Sequence, residues 1–435
     1  MTTGTELEIL KVGSGGDGVA AGSDGPIYVP FSLPGELVVA KVEGNRAQLK
    51  DIVEVSPARI APICRHFTQC GGCACQHMKS SFYSNWKRGL IASALCKRGI
   101  ETEICEMVRV GPHARRRATF SVSLIEGSVP LEPRRPLERR GSEGNVALGF
   151  HREGSFDVID IEECPVLCDD IVKVLPVLRK FMEPVLRSVR DTRRIRGIRI
   201  TVLRAFNGLD ITITGLSNKL PRGLVARLSA EAVKLGALRV SLDEDPIYKS
   251  ADPIVCHGPA NVIPQPGAFL QASEAAEKKL VELIENALPR RAKRIADLFC
   301  GLGAFAFPMA ARARISAFDT DPRAIDALKE ASRHTKGIKA IEARVRDLFQ
   351  EPLSRKELDA FDAVLFDPPR AGAKNQAINL AKSKVPVIIG VSCHPSTFAR
   401  DARTLIDGGY SLHNVTPIDQ FVYAAHVELV GVFRR

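Results

Sequence analysis

Tryptophan occurs once in 435 residues, and aromatic residues make up only 6% of the chain. Long hydrophobic runs are missing as well. The longest apolar stretch, from Val385 to Val391, is far short of the roughly 20 residues a membrane-spanning helix needs. The opening MTTGTELEIL lacks a basic start followed by an apolar core, so no secretory signal is read, and neither secretion nor membrane insertion is expected. No internal repeat is visible. Hydrophobic residues at 45% and charged residues at 26% exclude a disordered or fibrous chain. Cysteine, by contrast, is plentiful, with 11 residues. Without a signal these thiols belong to a reducing, cytoplasmic setting, which excludes a secreted disulfide scaffold.

Acidic charge is scarce in one place. The net charge of +11 is carried by the middle of the chain: residues 1–55 sum to −4, residues 56–240 to +13 and residues 241–435 to +2. Arg187, Arg190, Arg193, Arg194, Arg196 and Arg199 crowd together, and Arg115, Arg116 and Arg117 are consecutive. Guanidinium forks match phosphates, so a basic segment beside a neutral one points to nucleic acid. The bland alternative is a solvated helix face.

The length suggests about three domains. Residues 1–56 read as five short strands between GSGGDG, GSDGP and LPG, the pattern of a small OB-type barrel. Residues 57–75 are Cys-rich and loop-like, and residues 77–99 carry a helical pattern. Mixed strand and helix fills a central α+β region to residue 270, with a Pro/Gly/charge-rich hairpin tip at 126–145. From residue 271 to 435 helices and strands alternate, which predicts an α/β, doubly wound parallel sheet. The last two strands are expected to form an antiparallel pair at one edge.

Chemistry-bearing residues collect at the predicted strand ends. DLFCGLGAFA sets Gly301 and Gly303 between a strand and a helix, where a backbone can approach a ligand closely. Asp319 ends the next strand, as a ribose-binding carboxylate does. An NAD enzyme would show both features. FDPPR at 366–370 separates the classes, because a D-P-P turn at the fourth strand is typical of S-adenosylmethionine-dependent methyltransferases. IIGVSCHP ends a buried strand at Cys393, beside His394 and before a helix expected to be capped by Ser396. A helix N-terminus and nearby cationic groups lower a thiol pKa. Glu428 lies in the apolar strand AAHVELVGVF, with His426 and Val430 expected on its face. Cys64, Cys70 and Cys73 follow C-x5-C-x2-C, with Cys75 near and Cys164 and Cys168 far downstream. Zinc usually shows two paired short spacings, whereas one triad with a distant fourth ligand is more like an iron–sulfur site.

FLQ at 269–271, DLFCGLGAF at 297–305, FDPPRAG at 366–372, VSCHP at 391–395 and HVE at 426–428 resemble, in order, the motifs of the RNA uracil-5-methyltransferase family, in particular its large-subunit (23S) ribosomal RNA branch. Residues 1–56 resemble the TRAM module of that branch. The resemblance implies a class I methyltransferase sheet, a TRAM barrel and a central domain with a [4Fe–4S] cluster on Cys64, Cys70, Cys73 and Cys164. It implies Cys393 as nucleophile and Glu428 as base. It places S-adenosylmethionine contacts on Gln271, Phe299, Gly301, Gly303, Asp319, Asp347 and Asp367. It implies a uridine flipped out of RNA, and a monomeric, cytoplasmic enzyme is expected. Ala304, Ser273 and His394 stand where the family commonly has Asn.

Rival readings remain open to test. An amino-methyltransferase shares D-P-P but usually follows it with an aromatic residue, where Arg370 stands here. A non-catalytic ribosome-assembly factor would need neither Cys393 nor Glu428. A transfer-RNA enzyme of the family usually lacks both the Cys cluster and the barrel.

Overall fold

The structure is a computed structural model and describes residues 4–125, 146–189, 195–216 and 220–435. The expected hairpin tip at 126–145, and Arg190, Arg193 and Arg194 of the basic run, lie outside the described residues.

The N-terminal strands close into a barrel in the order β1-β2-β3-β5-β4, from β1 (Thr5–Val12), β2 (Gly18–Gly22), β3 (Gly25–Val29), β4 (Leu37–Glu43) and β5 (Arg46–Glu54). Alternation along β1 and β4 turns Leu7, Ile9, Val38 and Ala40 inward, where they meet Ala20, Val29 and Ala47. Several of these side chains are small, as a narrow interior requires. Glu36 is fully buried at the barrel's end, where Arg59 donates to both its carboxylate oxygens at 2.5 and 2.8 Å. That ion pair ties the barrel to the Cys-rich turns that follow.

After those turns comes the helix Ser80–Cys96 and then two short strands, β6 (Glu103–Ile104) and β7 (Val108–Arg109). Ile91 and Leu95 of this helix, with Ile100, pack into the core of the C-terminal sheet. A separate seven-stranded sheet spans the middle of the chain. Its order is β10-β9-β8-β11-β12-β13-β14, from β8 (Arg117–Leu124), β9 (Val146–His151), β10 (Val158–Asp160), β11 (Arg199–Ala205), β12 (Gly208–Thr214), β13 (Ala237–Leu242) and β14 (Asp245–Lys249). The helices Asp169–Ser188 and Arg222–Ala232 cover it through Ile171, Leu175, Leu178, Met182 and Leu228. A small hairpin, β15 (Val255–His257) and β16 (Ala260–Val262), leads to the last unit.

There β17 (Arg294–Leu298), β18 (Arg314–Asp319), β19 (Ile341–Val345), β20 (Ala363–Phe366) and β21 (Val387–Ser392) run parallel in the order β19-β18-β17-β20-β21. The central strands β20 and β21 are continuous in buried residues because helices cover both faces, whereas the outer β19 alternates with exposed Glu342 and Arg344. The order reverses between β17 and β20, so the carboxyl ends of the strands open a crevice at that switch point. The expected antiparallel pair is β22 (Ser411–Asp419) and β23 (Glu428–Arg434), and β23 inserts between β21 and β22. The pair does not close the edge as the sequence suggests. β6 and β7 pair with β22 beyond it, so the segment after the Cys-rich turns forms the rim of the sheet.

Candidate active site

Strand register brings the expected nucleophile and base together. Ser392 pairs with Leu429 across β21 and β23, so the next positions along, Cys393 and Glu428, face each other at the carboxyl edge. Cys393 is half-buried and Glu428 is 3% exposed. An exposed edge-strand charge is therefore excluded for Glu428. His426, expected on the same strand face, precedes β23 and is exposed.

The helix after Cys393, Pro395–Asp407, begins with Pro395 at its first position and is capped by His394, whose Nδ1 accepts from the Thr397 amide at 3.4 Å. The cap is thus His394 and not the expected Ser396. An accepting Nδ1 requires an uncharged ring, and burial with Arg370 nearby lowers the His394 pKa accordingly. The thiol also departs from expectation. Burial pushes Cys393 up to about 11, Glu428 and Asp367 add to the rise, and Arg370 opposes it. Two carboxylates and desolvation outweigh the cationic neighbours and the helix N-terminus.

A hydrogen-bonded chain of side chains spans the crevice floor. Gln271 Nε2 donates to Asp367 at 3.0 Å. Gln420 Nε2 donates to Gln271 Oε1 at 2.8 Å and to Glu428 at 2.9 Å. Burial raises Asp367 to about 7 against the Gln271 hydrogen bond. Burial, then Asp367, raise Glu428 well above the carboxylate range, with Gln420 opposing. Gln420 is invisible to motif reasoning, because it sits before a turn and carries no charge.

The glycine loop forms the other wall. Gly301 and Gly303 have φ of 51° and 89°, the left-handed region glycine suits, and a Cβ at Gly301 would meet nothing within 4 Å. Phe299 also has a positive φ of 64°, and its ring lies 5.5 Å from that of Phe349. Asp319 accepts from the Gly301 amide at 2.8 Å. Asp347 is exposed and accepts from the Phe349 amide at 2.9 Å. Asp297, which sequence reasoning passed over, is fully buried beneath the loop, and neither of its carboxylate oxygens has a partner. Burial, Asp367 and Asp319 raise its pKa well above the ordinary value. An orphaned carboxyl group, an open glycine cradle and Asp319 together fit a ligand bearing a cationic amino group and ribose hydroxyls.

The consecutive arginines serve structure more than phosphate. Arg116 donates to the Gln271 carbonyl at 3.2 Å and to Glu277 at 2.6 Å, and Arg117 donates to the Ala268 carbonyl at 3.0 Å. The Arg116 amide also donates to the Ala272 carbonyl at 2.9 Å. These contacts hold the 267–272 segment, and with it Gln271, against the crevice. Of the described residues in the second run, Arg187 pairs with Glu183, Arg199 donates to backbone carbonyls, and Arg196 lies over the exposed ring of Phe156 at 5.9 Å.

Cys64, Cys70, Cys73 and Cys164 line one cavity of about 310 Å³, between the Cys-rich turns and the central sheet. The Cys70 amide segment is drawn there by an antiparallel bridge to Arg152, and Arg65 reaches across to Glu163 at 3.0 Å. Burial pushes Cys73 up to about 12, with Cys164, Cys70 and Cys64 adding to it. Among the described residues no group of three or more His, Cys, Asp or Glu is placed to hold a metal ion. Among them, too, no helix is long and apolar enough to cross a membrane.

Sheet order, glycine loop and a ring of carboxylates at the strand ends define the architecture of a methyltransferase with an N-terminal barrel. The tRNA (Uracil-5-)-methyltransferase family model matches residues 262–435. An uncharacterized RNA methyltransferase of Mesorhizobium japonicum is 41% identical over 424 residues, 98% of this chain and 96% of the relative. One of Caulobacter vibrioides is 42% identical over 440 residues, 99% of this chain and 100% of the relative. A 23S rRNA (uracil(1939)-C(5))-methyltransferase of Halomonas elongata is 30% identical over 451 residues, 97% of this chain and 88% of the relative. The chain belongs to the S-adenosylmethionine-dependent RNA uracil-5-methyltransferase family. The crystal structure of Pyrococcus abyssi tRNA (uracil-54, C5)-methyltransferase in complex with S-adenosyl-L-homocysteine superposes with a TM-score of 0.75 over 98% of this chain and 99% of that one. At 23% identity that likeness establishes the fold.

Proposed function

We propose that this enzyme forms 5-methyluridine in large-subunit (23S) ribosomal RNA, with Cys393 as nucleophile and Glu428 as base. The observation that carries this reading is the pairing of Ser392 with Leu429, which sets Cys393, just past β21, beside Glu428 at the start of β23, near enough for Glu428 to act on the thiol. Carbon 5 of uracil is a poor nucleophile. Bond formation between the Cys393 sulfur and carbon 6 pushes the ring electrons into an enolate that is nucleophilic at carbon 5. The half-buried thiol first loses its proton to water, and its high pKa keeps the attacking thiolate a minor form. S-adenosylmethionine supplies an electrophilic methyl group. Glu428 then takes the carbon 5 proton, the ring double bond re-forms, and the thiolate is expelled. A carboxyl group whose pKa is raised by burial is suited to hold that proton. Gln271 and Asp367, joined to Glu428 through Gln420, face the same crevice and would fix the uracil edge or the cofactor. Phe299, Gly301, Gly303, Asp319 and Asp347 would hold the cofactor. The N-terminal barrel would act as a TRAM-type RNA-binding module.

The ribosomal target is supported by the printed activity of the Halomonas elongata relative, and by the four thiols around one cavity. We read those four thiols, which line one cavity but are not drawn together there, as the donor set of a [4Fe–4S] cluster, with Cys75 and Cys168 outside the cavity. The cluster would brace the fold there, and no reaction step passes through it. Mass mapping of ribosomal and transfer RNA from a strain lacking the gene tests the target. Loss of one 5-methyluridine from large-subunit RNA is expected. Loss from transfer RNA alone would redirect the assignment to that substrate.

A further inference from the structure

Gln420 stands outside every motif of the chain, yet through Gln271 it links the buried Glu428 to the half-buried Asp367. Its side chain is 5% exposed. One amide nitrogen uses both of its hydrogens, toward Glu428 and toward Gln271. Its oxygen is buried without a partner, which leaves the amide committed to donation through nitrogen. The reverse orientation would aim that oxygen at a carboxylate. Gln271, its own oxygen occupied by Gln420, can only present its nitrogen to Asp367, as observed. The polarity of the whole chain, from Glu428 to Asp367, is therefore set at Gln420.

Gln420 is itself held rigidly. The preceding Asp419 accepts from Lys87 at 2.6 Å and from Tyr83 at 2.9 Å, all three side chains being buried. The following loop is pinned where the Ala74 and Cys75 amides donate to the Tyr423 carbonyl at 2.9 and 3.0 Å. A glutamine fixed on both sides is a preorganised donor. The titratable groups facing Glu428 are Asp367 and Cys393, with Arg370 beside the thiol. Both Asp367 and burial favour the neutral carboxyl, and the Gln420 N–H opposes them by stabilising the charged form.

We propose that Gln420 is a positioning residue for proton removal from carbon 5, aiming Glu428 and favouring its charged form against burial and Asp367. The proposal rests on Glu428 being the base. In the step concerned, the carbon 5 proton moves to Glu428, the electron pair of the broken C–H bond re-forms the ring double bond, and the carbon 6–sulfur bond breaks to release thiolate. A carboxyl group left neutral cannot accept that proton. Loss of Gln420 therefore slows this step more than the earlier methyl transfer.

Single-turnover reactions with radiolabelled S-adenosylmethionine and RNA separate the two steps. Label entering RNA reports methyl transfer, and label in a denaturation-resistant protein–RNA band reports the unresolved adduct. Gln420→Met keeps the length and removes the donor. Adduct resolution should slow by roughly 10- to 100-fold, the range expected from losing a hydrogen bond to a charged group, and by clearly more than methyl transfer slows. Gln420→Asn keeps an amide with shorter reach and should fall between. Glu428→Gln run in parallel isolates the underlying assignment, since it must accumulate the methylated adduct if Glu428 is the base. Accumulation in Glu428→Gln but wild-type resolution in Gln420→Met would overturn the role of Gln420 alone. Equal slowing of both steps, or loss of S-adenosylhomocysteine binding in both Gln420 variants, would make Gln420 a packing residue and overturn it as well.

Discussion

At the sheet edge Cys393 and Glu428 meet by strand register, whereas Cys64, Cys70, Cys73 and Cys164 reach their cavity through turns and loops. The first arrangement is determined by backbone pairing that exists whether or not a ligand is bound. The second is held by a few long-range contacts, such as the Cys70–Arg152 bridge and the Arg65–Glu163 pair, whose charged side chains are both partly exposed. Strand-end sites are rigid because the ladder supplies their precision. A loop-built site gains its order from whatever fills it. The two regions are joined by one strap: Val422 and Ala424 line the Cys cavity, and the same loop runs from Gln420 to Glu428.

The contrast can be broken most severely at the nucleophile. Cys393→Ala should abolish methyl transfer yet leave S-adenosylhomocysteine binding and melting temperature nearly unchanged, because the strand ladder does not depend on the thiol. RNA carrying 5-fluorouridine at the target should trap a covalent adduct with the wild type and not with this variant. Wild-type turnover by Cys393→Ala would end the nucleophile assignment. In the Cys cavity the effect should be structural. Protein purified without oxygen should be brown with about four irons, and Cys70→Ser should lose both colour and solubility. Elemental analysis finding zinc and no iron would refute the cluster.

The strap between the regions gives a smaller, measurable effect. Lys87 is 0% and Asp419 1% exposed, so Lys87→Met leaves a buried carboxylate with only Tyr83 as partner. Breaking a buried pair this way costs about 3–5 kcal/mol, read by urea denaturation. A loss below about 1 kcal/mol would mean that water takes the place of Lys87 beside Asp419. The smallest effect concerns protonation. With its pKa near 11, Cys393 is mostly neutral at pH 7, and the thiolate fraction rises with pH. Alkylation of Cys393 by iodoacetamide, followed by peptide mass spectrometry, should climb about tenfold per pH unit from 7 to 9. A plateau by pH 8 would show a thiol activated in the free enzyme.

Much of the catalytic edge was legible before any coordinates. Asp319, Asp367, Cys393 and Glu428 each lie at or just past the end of an apolar strand, and polar residues at such places are costly unless they have a task. The environment of those residues was not legible. The Cys393 thiol was expected to be lowered by a helix N-terminus, and the structure raises it, because burial and two carboxylates act from other strands. Gln420 and Asp297 escaped notice since their significance lies in what they touch or fail to touch. Arg115, Arg116 and Arg117 read as phosphate forks, but Arg116 and Arg117 are turned toward the backbone that carries Gln271.

The local pattern of the chain, by itself, determined the barrel strands, the alternating helices and strands, and the order of the motifs. Hydrophobic period, glycine turns and strand-end polarity are properties of neighbouring residues, so they survive without tertiary information. Tertiary structure alone decided that β23 inserts beside β21, that β6 and β7 form the rim, and that Gln420 joins two carboxyl groups. Those outcomes depend on contacts between residues tens to hundreds of positions apart, and on desolvation and charge summed over strands that no local window contains.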